Sequence, residues 1–398
     1  MRVSRSRLGA LGSAVLSILA GGVVFAAASA AHAAGAPIVV GATVSETGPL
    51  AADAVFQLKG EALGVAVANA HGGWLGRKVL LKYYDDKSSP GTAVRLYQRL
   101  ITEDKVNLLL GPYSSLVTIG IAPLINKYKM ATIEPGASVP TIYVKGNKWN
   151  IQGIASSTTY LKQLLPLAHK AGANKVALVG LESAFTLACL DARVAQAKQL
   201  GMKVVYRTTY ALPMPDFSPI ALAIKNAHPD VVLGCTYYPD AVGIARALHQ
   251  QGFAPKYFGE TVGPVEPAFI KALGPLANRI LSNTSWWHNY KTPGNKAFIA
   301  AFTKKFGIAP DYHAAVGYSG IEVLGAAVKA THSLNQAKLR AYILSHTVPT
   351  IQGPFKVSRY GLMLGASQEM VQIQNGVLKL MTPPSLAEGK VLVPYTGS

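Results

Sequence analysis

The sequence predicts an α/β protein built as two lobes, and three observations carry that prediction. At 398 residues the chain exceeds one ordinary domain. Short apolar runs, long enough for buried strands and too short for helices, alternate with longer segments of helical periodicity. The alternation lapses over Thr141–Ser157, which carries Lys145-Gly146-Asn147-Lys148, and then restarts. Strands alternating with helices build parallel sheets covered on both faces.

Met1–Ala33 stands apart from this pattern. Arg2, Arg5 and Arg7 form a positive start, Leu8–Ala30 is apolar or small, and Ala31-His32-Ala33 fits a small-x-small cleavage site. This is the pattern of a secretory signal peptide, removed to leave a mature chain starting near Ala34. No Cys near the cleavage point offers a lipid attachment, and no other stretch is long and apolar enough to span a bilayer.

The first lobe begins with a strand over Ile38–Val44, a Gly/Pro loop over Ser45–Ala52 and a helix over Ala54–Ala70 that stops at Gly72-Gly73. A strand over Val79–Tyr84 ends in Asp85-Asp86. Ser89-Pro90 then opens a helix to Asp104, with Pro suited to the first turn. The stretch Val106–Ser138 follows, and the rest of the chain is organised around it. Val106–Leu110 is a buried strand that stops at Gly111-Pro112. Ser114 and Ser115 stand where a helix cap belongs, before the periodic segment Leu116–Lys129. A second short strand, Met130–Ile133, breaks at Pro135-Gly136. In a parallel sheet both strand ends open on one edge, where small molecules bind. A helix N-terminus there presents free N–H groups and a positive dipole end, and Ser114, Ser115 and Ser138 add hydroxyls. The stretch reads as half of a site for a carboxylate, although ordinary capping would use the same residues.

In the second lobe the sequence predicts helices over Thr159–Ala171 (kinked at Pro166), Phe185–Leu200, Ser218–Ala227 and Pro239–Gln251. Strands fall at Val176–Val179, Val204–Tyr210, Val231–Leu233 and Tyr257-Phe258. VNLLLGPY at Val106–Tyr113 and VVLGCTY at Val231–Tyr237 resemble each other, as two facing lobes would. Further on, Pro293–Phe306, Ala314–Thr331 and Asn335–Ser345 read as helices. Gln374-Asn375-Gly376, between Met370–Ile373 and Val377–Met381, signals a hairpin.

Composition narrows the class. Lys and Arg number 38 against 19 Asp and Glu, a net charge of +19. The basic residues are scattered, with no aromatic stripe among them, so they argue for a soluble basic protein that attracts anions and against a nucleic-acid binder. The only two cysteines, Cys189 and Cys235, fall on a predicted helix and a predicted strand end; the sequence leaves open whether they pair. Walker A, G-x-G-x-x-G, H-E-x-x-H, paired C-x-x-C and G-x-S-x-G patterns are absent, which weighs against an enzyme. His288 and His313 read as surface or capping residues.

Several segments together resemble the periplasmic substrate-binding proteins of branched-chain amino-acid ABC transporters. They are the signal peptide, GATVSETGPLA after the first strand, YYDDKSSP after the second, LLGPYSS after the third and IEPGAS after the fourth. The likeness runs from Ala36 to Pro383. It implies a type I periplasmic binding protein fold, in which two Rossmann-like lobes joined by three crossing segments close on a ligand. On that pattern residues 1–33 are the signal, 36–154 and 288–364 the first lobe, 155–287 and 365–384 the second, and 385–398 a tail.

The resemblance implies a binding protein without enzymatic activity, cofactor or metal. It implies a periplasmic monomer that hands a small carboxylate, a branched-chain or other apolar amino acid, to ABC permease subunits. The alternatives are aromatic acids or amides as ligand, or a periplasmic sensing module. By position, Ser114, Ser115, Gly136, Ala137 and Ser138 match the family's carboxylate anchor, Tyr237 its second-lobe tyrosine, and Glu260 the acidic partner of an ammonium. Departures stand at Phe185, where family members often carry Tyr, at Glu134, where a small hydroxyl residue is common, and at Tyr113. A Cys pair of some members would fall at Ser88 and Ser114, so that bridge is absent. Tyr113, Phe185 and Tyr237, with Trp286-Trp287, would build an aromatic pocket.

Overall fold

The computed structural model describes residues 35–397; the predicted signal peptide lies outside them. The first lobe is a five-stranded parallel sheet. Its strands are β1 (Ile38–Val44), β2 (Val79–Asp85), β3 (Leu108–Leu110), β4 (Thr132–Glu134) and β5 (Asn150–Gln152), in the order β2-β1-β3-β4-β5. Helices α1 (Ala51–Ala70), α2 (Pro90–Thr102) and α3 (Ser115–Tyr128) connect them. β5 lies inside Thr141–Ser157, where the sequence has no period to read; three residues, all buried, are too few to show one.

The second lobe starts with α4 (Leu164–Lys170) and continues through β6 (Lys175–Leu181), α5 (Ala184–Gln199), β7 (Lys203–Tyr210), α6 (Ser218–Asn226), β8 (Val231–Cys235), α7 (Tyr238–Gln250), β9 (Tyr257–Glu260), α8 (Pro267–Leu273) and β10 (Leu281–Thr284). The predicted kink at Pro166 does not occur. The helix begins at Leu164, so Pro166 falls in the first turn, where no N–H is needed. The chain then returns to the first lobe with α9 (Asn295–Phe306), α10 (Tyr312–Thr331), α11 (Gln336–Ser345) and the small hairpin β11 (Val348–Thr350) and β12 (Gly353–Phe355). It crosses a third time to add β13 (Glu369–Gln374) and β14 (Val377–Leu380), giving the order β14-β13-β10-β9-β8-β6-β7. The last two strands pair antiparallel. Asn375 and Gly376 between them take φ of 53° and 74°, the left-handed pair that a two-residue hairpin turn requires.

α10 packs along α1 so closely that side chains are excluded. A Cβ on Gly60 would lie 1.9 Å from the Ala314 carbonyl oxygen, and one on Gly317 would lie 2.3 Å from that of Gln57. This contact fixes the start of α10 against the middle of α1. Cys189 on α5 and Cys235 at the end of β8 form a disulfide with their Cα atoms 6.2 Å apart. Among the described residues no helix is long and apolar enough to cross a membrane.

Candidate functional site

Strand order reverses between β1 and β3 in one sheet and between β6 and β8 in the other. The crevice beyond the carboxyl ends of strands at such a reversal is where α/β sheets take ligands. Here the two crevices face each other. Between them lies a cavity lined by Tyr113, Ser114, Ser115, Gly136, Ser138, Ile154, Tyr160, Phe185, Tyr237, Val262, Tyr312 and His313. Its volume is about 10 Å³, room for roughly one water. The lobes are closed on it, and a ligand enters only when they part.

The first-lobe wall is built from the turn between β3 and α3. Ser114 occupies the N-cap position of α3, but its hydroxyl makes no cap bond. It accepts instead from the hydroxyl of Tyr237 in the opposite lobe, at 3.3 Å. The capping explanation of this serine therefore fails. Ser115 Oγ accepts from the backbone N–H of Ser138 at 2.9 Å and of Val139 at 3.1 Å, and its own hydrogen is left to donate. This ties the α3 N-terminus and the loop after β4 into one cradle. Gly136 belongs to that loop for a steric reason: a Cβ there would lie 2.6 Å from both Gln57 Oε1 and Tyr113 Cδ2.

The second-lobe wall is aromatic. Phe185 stands in the first turn of α5, and Tyr237 is the N-cap residue of α7. The Phe185 ring centre is 5.2 Å from that of Tyr160, edge to face, and 5.3 Å from that of Tyr237, tilted at 48°, both within the range at which rings attract.

Seven of the nine site residues expected from sequence line this cavity: Tyr113, Ser114, Ser115, Gly136, Ser138, Phe185 and Tyr237. Two do not. Ala137 is buried beside it, and its carbonyl accepts from the Tyr143 hydroxyl at 2.6 Å. Glu260 ends β9 and turns into the body of its lobe. It lies over Gly234, where a Cβ would fall 2.0 Å from its Oε2, and it accepts from the Thr236 hydroxyl. Burial pushes its carboxyl well above the usual range, and it faces away from the cavity lining. Trp286 and Trp287 also lie elsewhere, donating to Asn295 Oδ1 at 2.7 Å and Glu388 Oε1 at 3.0 Å.

His313 was read from sequence as a surface or capping residue and is instead fully buried on the cavity wall. Its Nε2 is 3.3 Å from the Tyr113 hydroxyl, and its Nδ1 is 2.9 Å from Glu266 Oε1 and 3.0 Å from Asp311 Oδ2. Burial alone would lower this imidazole, but Asp311 and Glu266 outweigh it and hold it well above its ordinary value. Asp53, in the first turn of α1, joins the group from the first lobe, and burial raises its carboxyl to about 6. No local signal marks Asp53, Glu266 or His313; only the packing of α10 on α1 and the approach of the second lobe bring them together. His288, by contrast, is exposed and pairs with Glu388 at 3.2 Å.

Comparison with known proteins places this arrangement. The model of a family described as periplasmic binding protein matches residues 37–376. An amino acid binding protein of Pseudomonas aeruginosa is 25% identical over 326 residues, 80% of this chain and 85% of that one. The leucine binding protein LivK of Thermotoga maritima superposes with a TM-score of 0.79 at 21% identity, covering 87% of this chain and 99% of that one. A solute binding protein of R. palustris in complex with 4-hydroxybenzoate does so with a TM-score of 0.77 at 22% identity, covering 86% and 95%.

Proposed function

This chain belongs to the periplasmic binding protein family, and on that premise we propose that it is an extracytoplasmic solute-binding protein that captures a small aromatic carboxylate and presents it to an ABC permease. The observation that carries the ligand class is the make-up of the wall. Serine hydroxyls and a helix N-terminus supply donors for an anion at one side. Tyr113, Tyr160, Phe185, Tyr237 and Tyr312 supply aromatic faces around it, and among the described residues no carboxylate lines the cavity. The R. palustris structural relative holds 4-hydroxybenzoate, which supports this reading.

The mechanism is capture by closure, without chemistry. In the open form the first-lobe cradle, held rigid by Ser115, receives the carboxylate on the hydroxyls of Ser114, Ser115 and Ser138 and the free N–H groups of α3. The second lobe then swings over, bringing Phe185 and Tyr237 against the ring. The Tyr237 hydroxyl reaches Ser114 across the cleft, a contact between the lobes in the closed form. A permease reads the closed outline. An apolar α-amino acid is the second reading. It is favoured by the carboxylates of Asp53 and Glu266 set behind His313, and the Pseudomonas relative is described as an amino acid binding protein.

Calorimetry with benzoate, 4-hydroxybenzoate, leucine and phenylalanine tests the assignment. The aromatic acids are expected to bind and to raise the melting temperature. Leucine binding at least tenfold tighter than every aromatic acid would reverse the order of the two readings.

A further inference from the structure

At the cavity wall and directly behind it, four ionisable side chains meet across the two lobes. Asp53, Asp311 and His313 come from the first lobe, and Glu266 comes from the residue that precedes α8 in the second. One donor atom each from Asp53, Glu266 and His313 lie within 4.8 Å of one another, and all three residues are buried. The Nδ1 of His313 carries at most one hydrogen, yet two carboxylate oxygens approach it, at 2.9 and 3.0 Å. The oxygen of Glu266 that does so has no partner beyond that imidazole, and neither oxygen of the fully buried Asp53 makes a hydrogen bond of good geometry.

Two arguments say what would satisfy these groups. The first is charge. Three carboxyls around one imidazole can all ionise only if further positive charge joins them; otherwise they must hold protons, because buried unpaired charge is costly. The second is spacing. Neighbouring ligand atoms on an octahedral ion with bonds of about 2.1 Å stand roughly 3.0 Å apart, and on a tetrahedral one roughly 3.4 Å; the separations around Nδ1, 2.9 and 3.0 Å, lie at the octahedral end.

We propose that Asp53, Glu266 and His313, with Asp311 beside them, form a divalent-cation site that is completed only when the lobes close. A set of one imidazole nitrogen and several carboxylate oxygens suits an ion of the Zn²⁺ or Mn²⁺ class. The ion sits on the Nδ1 side of His313 and leaves Nε2 facing Tyr113 and the cavity. Because Glu266 belongs to the second lobe, the ion adds a bond across the cleft and favours closure.

The test uses untagged full-length protein stripped with chelator, then titrated with ZnCl₂ and with MnCl₂ by calorimetry, with metal content read by mass spectrometry. One of the two ions is expected to bind at one per chain. Glu266→Gln and Asp53→Asn, both near-isosteric, are expected to weaken it by about 10–100-fold or more, with melting curves confirming that each variant is folded. Small-angle scattering is expected to show metal-dependent compaction in the wild type and its loss in Glu266→Gln. Absence of stoichiometric uptake of either ion would overturn the proposal in favour of protons shared among the carboxylates. Equal uptake by both variants would overturn it by placing the ion on exposed histidines such as His71 and His346. Uptake by the wild type without compaction would overturn the link to closure.

Discussion

The two lobes solve one local problem with the same parts and finish it differently. In the first, β3 runs into Gly111 and then α3, and Glu134 at the end of β4 lies over that glycine. In the second, β8 carries Gly234 and leads into α7, and Glu260 at the end of β9 lies over it. A Cβ on Gly111 would fall 1.5 Å from Glu134 Oε2, and one on Gly234 would fall 2.0 Å from Glu260 Oε2. Both glutamates are fully buried, and burial pushes both carboxyls well above their usual range. The N-cap residues then diverge: Ser114 in the first lobe, Tyr237 in the second. The small hydroxyl leaves room for an anion, and the long phenol crosses the cleft to meet it. On the proposed reading, a repeated scaffold yields one binding face and one closing face.

The comparison can be broken most strongly through the disulfide, since both cysteines lie in the second lobe. Replacing Cys189 and Cys235 by Ala opens a loop of 46 residues and is expected to cost about 2–4 kcal/mol. Hydrogen exchange should show the loss in β6 to β9 and leave β1 to β5 protected. Uniform loss through both sheets would mean that the lobes unfold as one unit.

A next test asks whether the first lobe is the anchor. Ser114→Ala and Ser138→Ala are each expected to weaken carboxylate binding by about 1.5–3 kcal/mol, with melting of the free protein little changed. Tyr237→Phe, on the closing face, should cost less, about 0.5–1.5 kcal/mol. Calorimetry showing the reverse order would exchange the roles assigned to the two lobes.

The paired glycines sharpen the likeness. Gly111→Ala drives a methyl into Glu134 and is expected to destabilise by about 1–3 kcal/mol. Adding Glu134→Ala should recover most of that loss, and Gly234→Ala with Glu260→Ala should behave in parallel. Independent, additive effects in denaturant titrations would show that the two pairs are not equivalent.

The smallest effect concerns Glu260 alone. Its folded-state pKa is raised, so the stability it contributes is whole below the unfolded value near ~4.3 and is lost as pH rises above it. Glu260→Gln should therefore be near neutral at pH 4, stabilising at pH 8, and without effect on the affinity of any solute. A drop in affinity for an amino acid but not for the matching acid would return Glu260 to the site.

Much of this was legible because the relevant signals are local. β1, α3 and the hairpin turn at Asn375-Gly376 each carry their period or turn chemistry within a few residues, and the serines after β3 mark their own helix start. The likeness of VNLLLGPY to VVLGCTY is real but its register is not what the letters suggest: the N-caps align Tyr237 with Ser114, not with Tyr113. Glu260 could not be placed from sequence, because one step along a strand turns a side chain from one face of the sheet to the other. Asp53, Glu266 and His313 stand in no motif, and their meeting depends on helix packing and on closure, both properties of the assembled molecule.

The partner that covers α1 is encoded late. α10 follows it only after the whole parallel part of the second sheet, and β13 and β14 come later still. At a synthesis rate of roughly 5–20 residues per second, the interval from the end of β5 to the start of α10 is roughly 8–32 s, during which the Gly60 face of α1 is bare. The first lobe lacks its last element until Phe355 has emerged, and the second until Leu380 has. The emerging polypeptide is thereby kept from settling early, and its shape is decided near the end of its making.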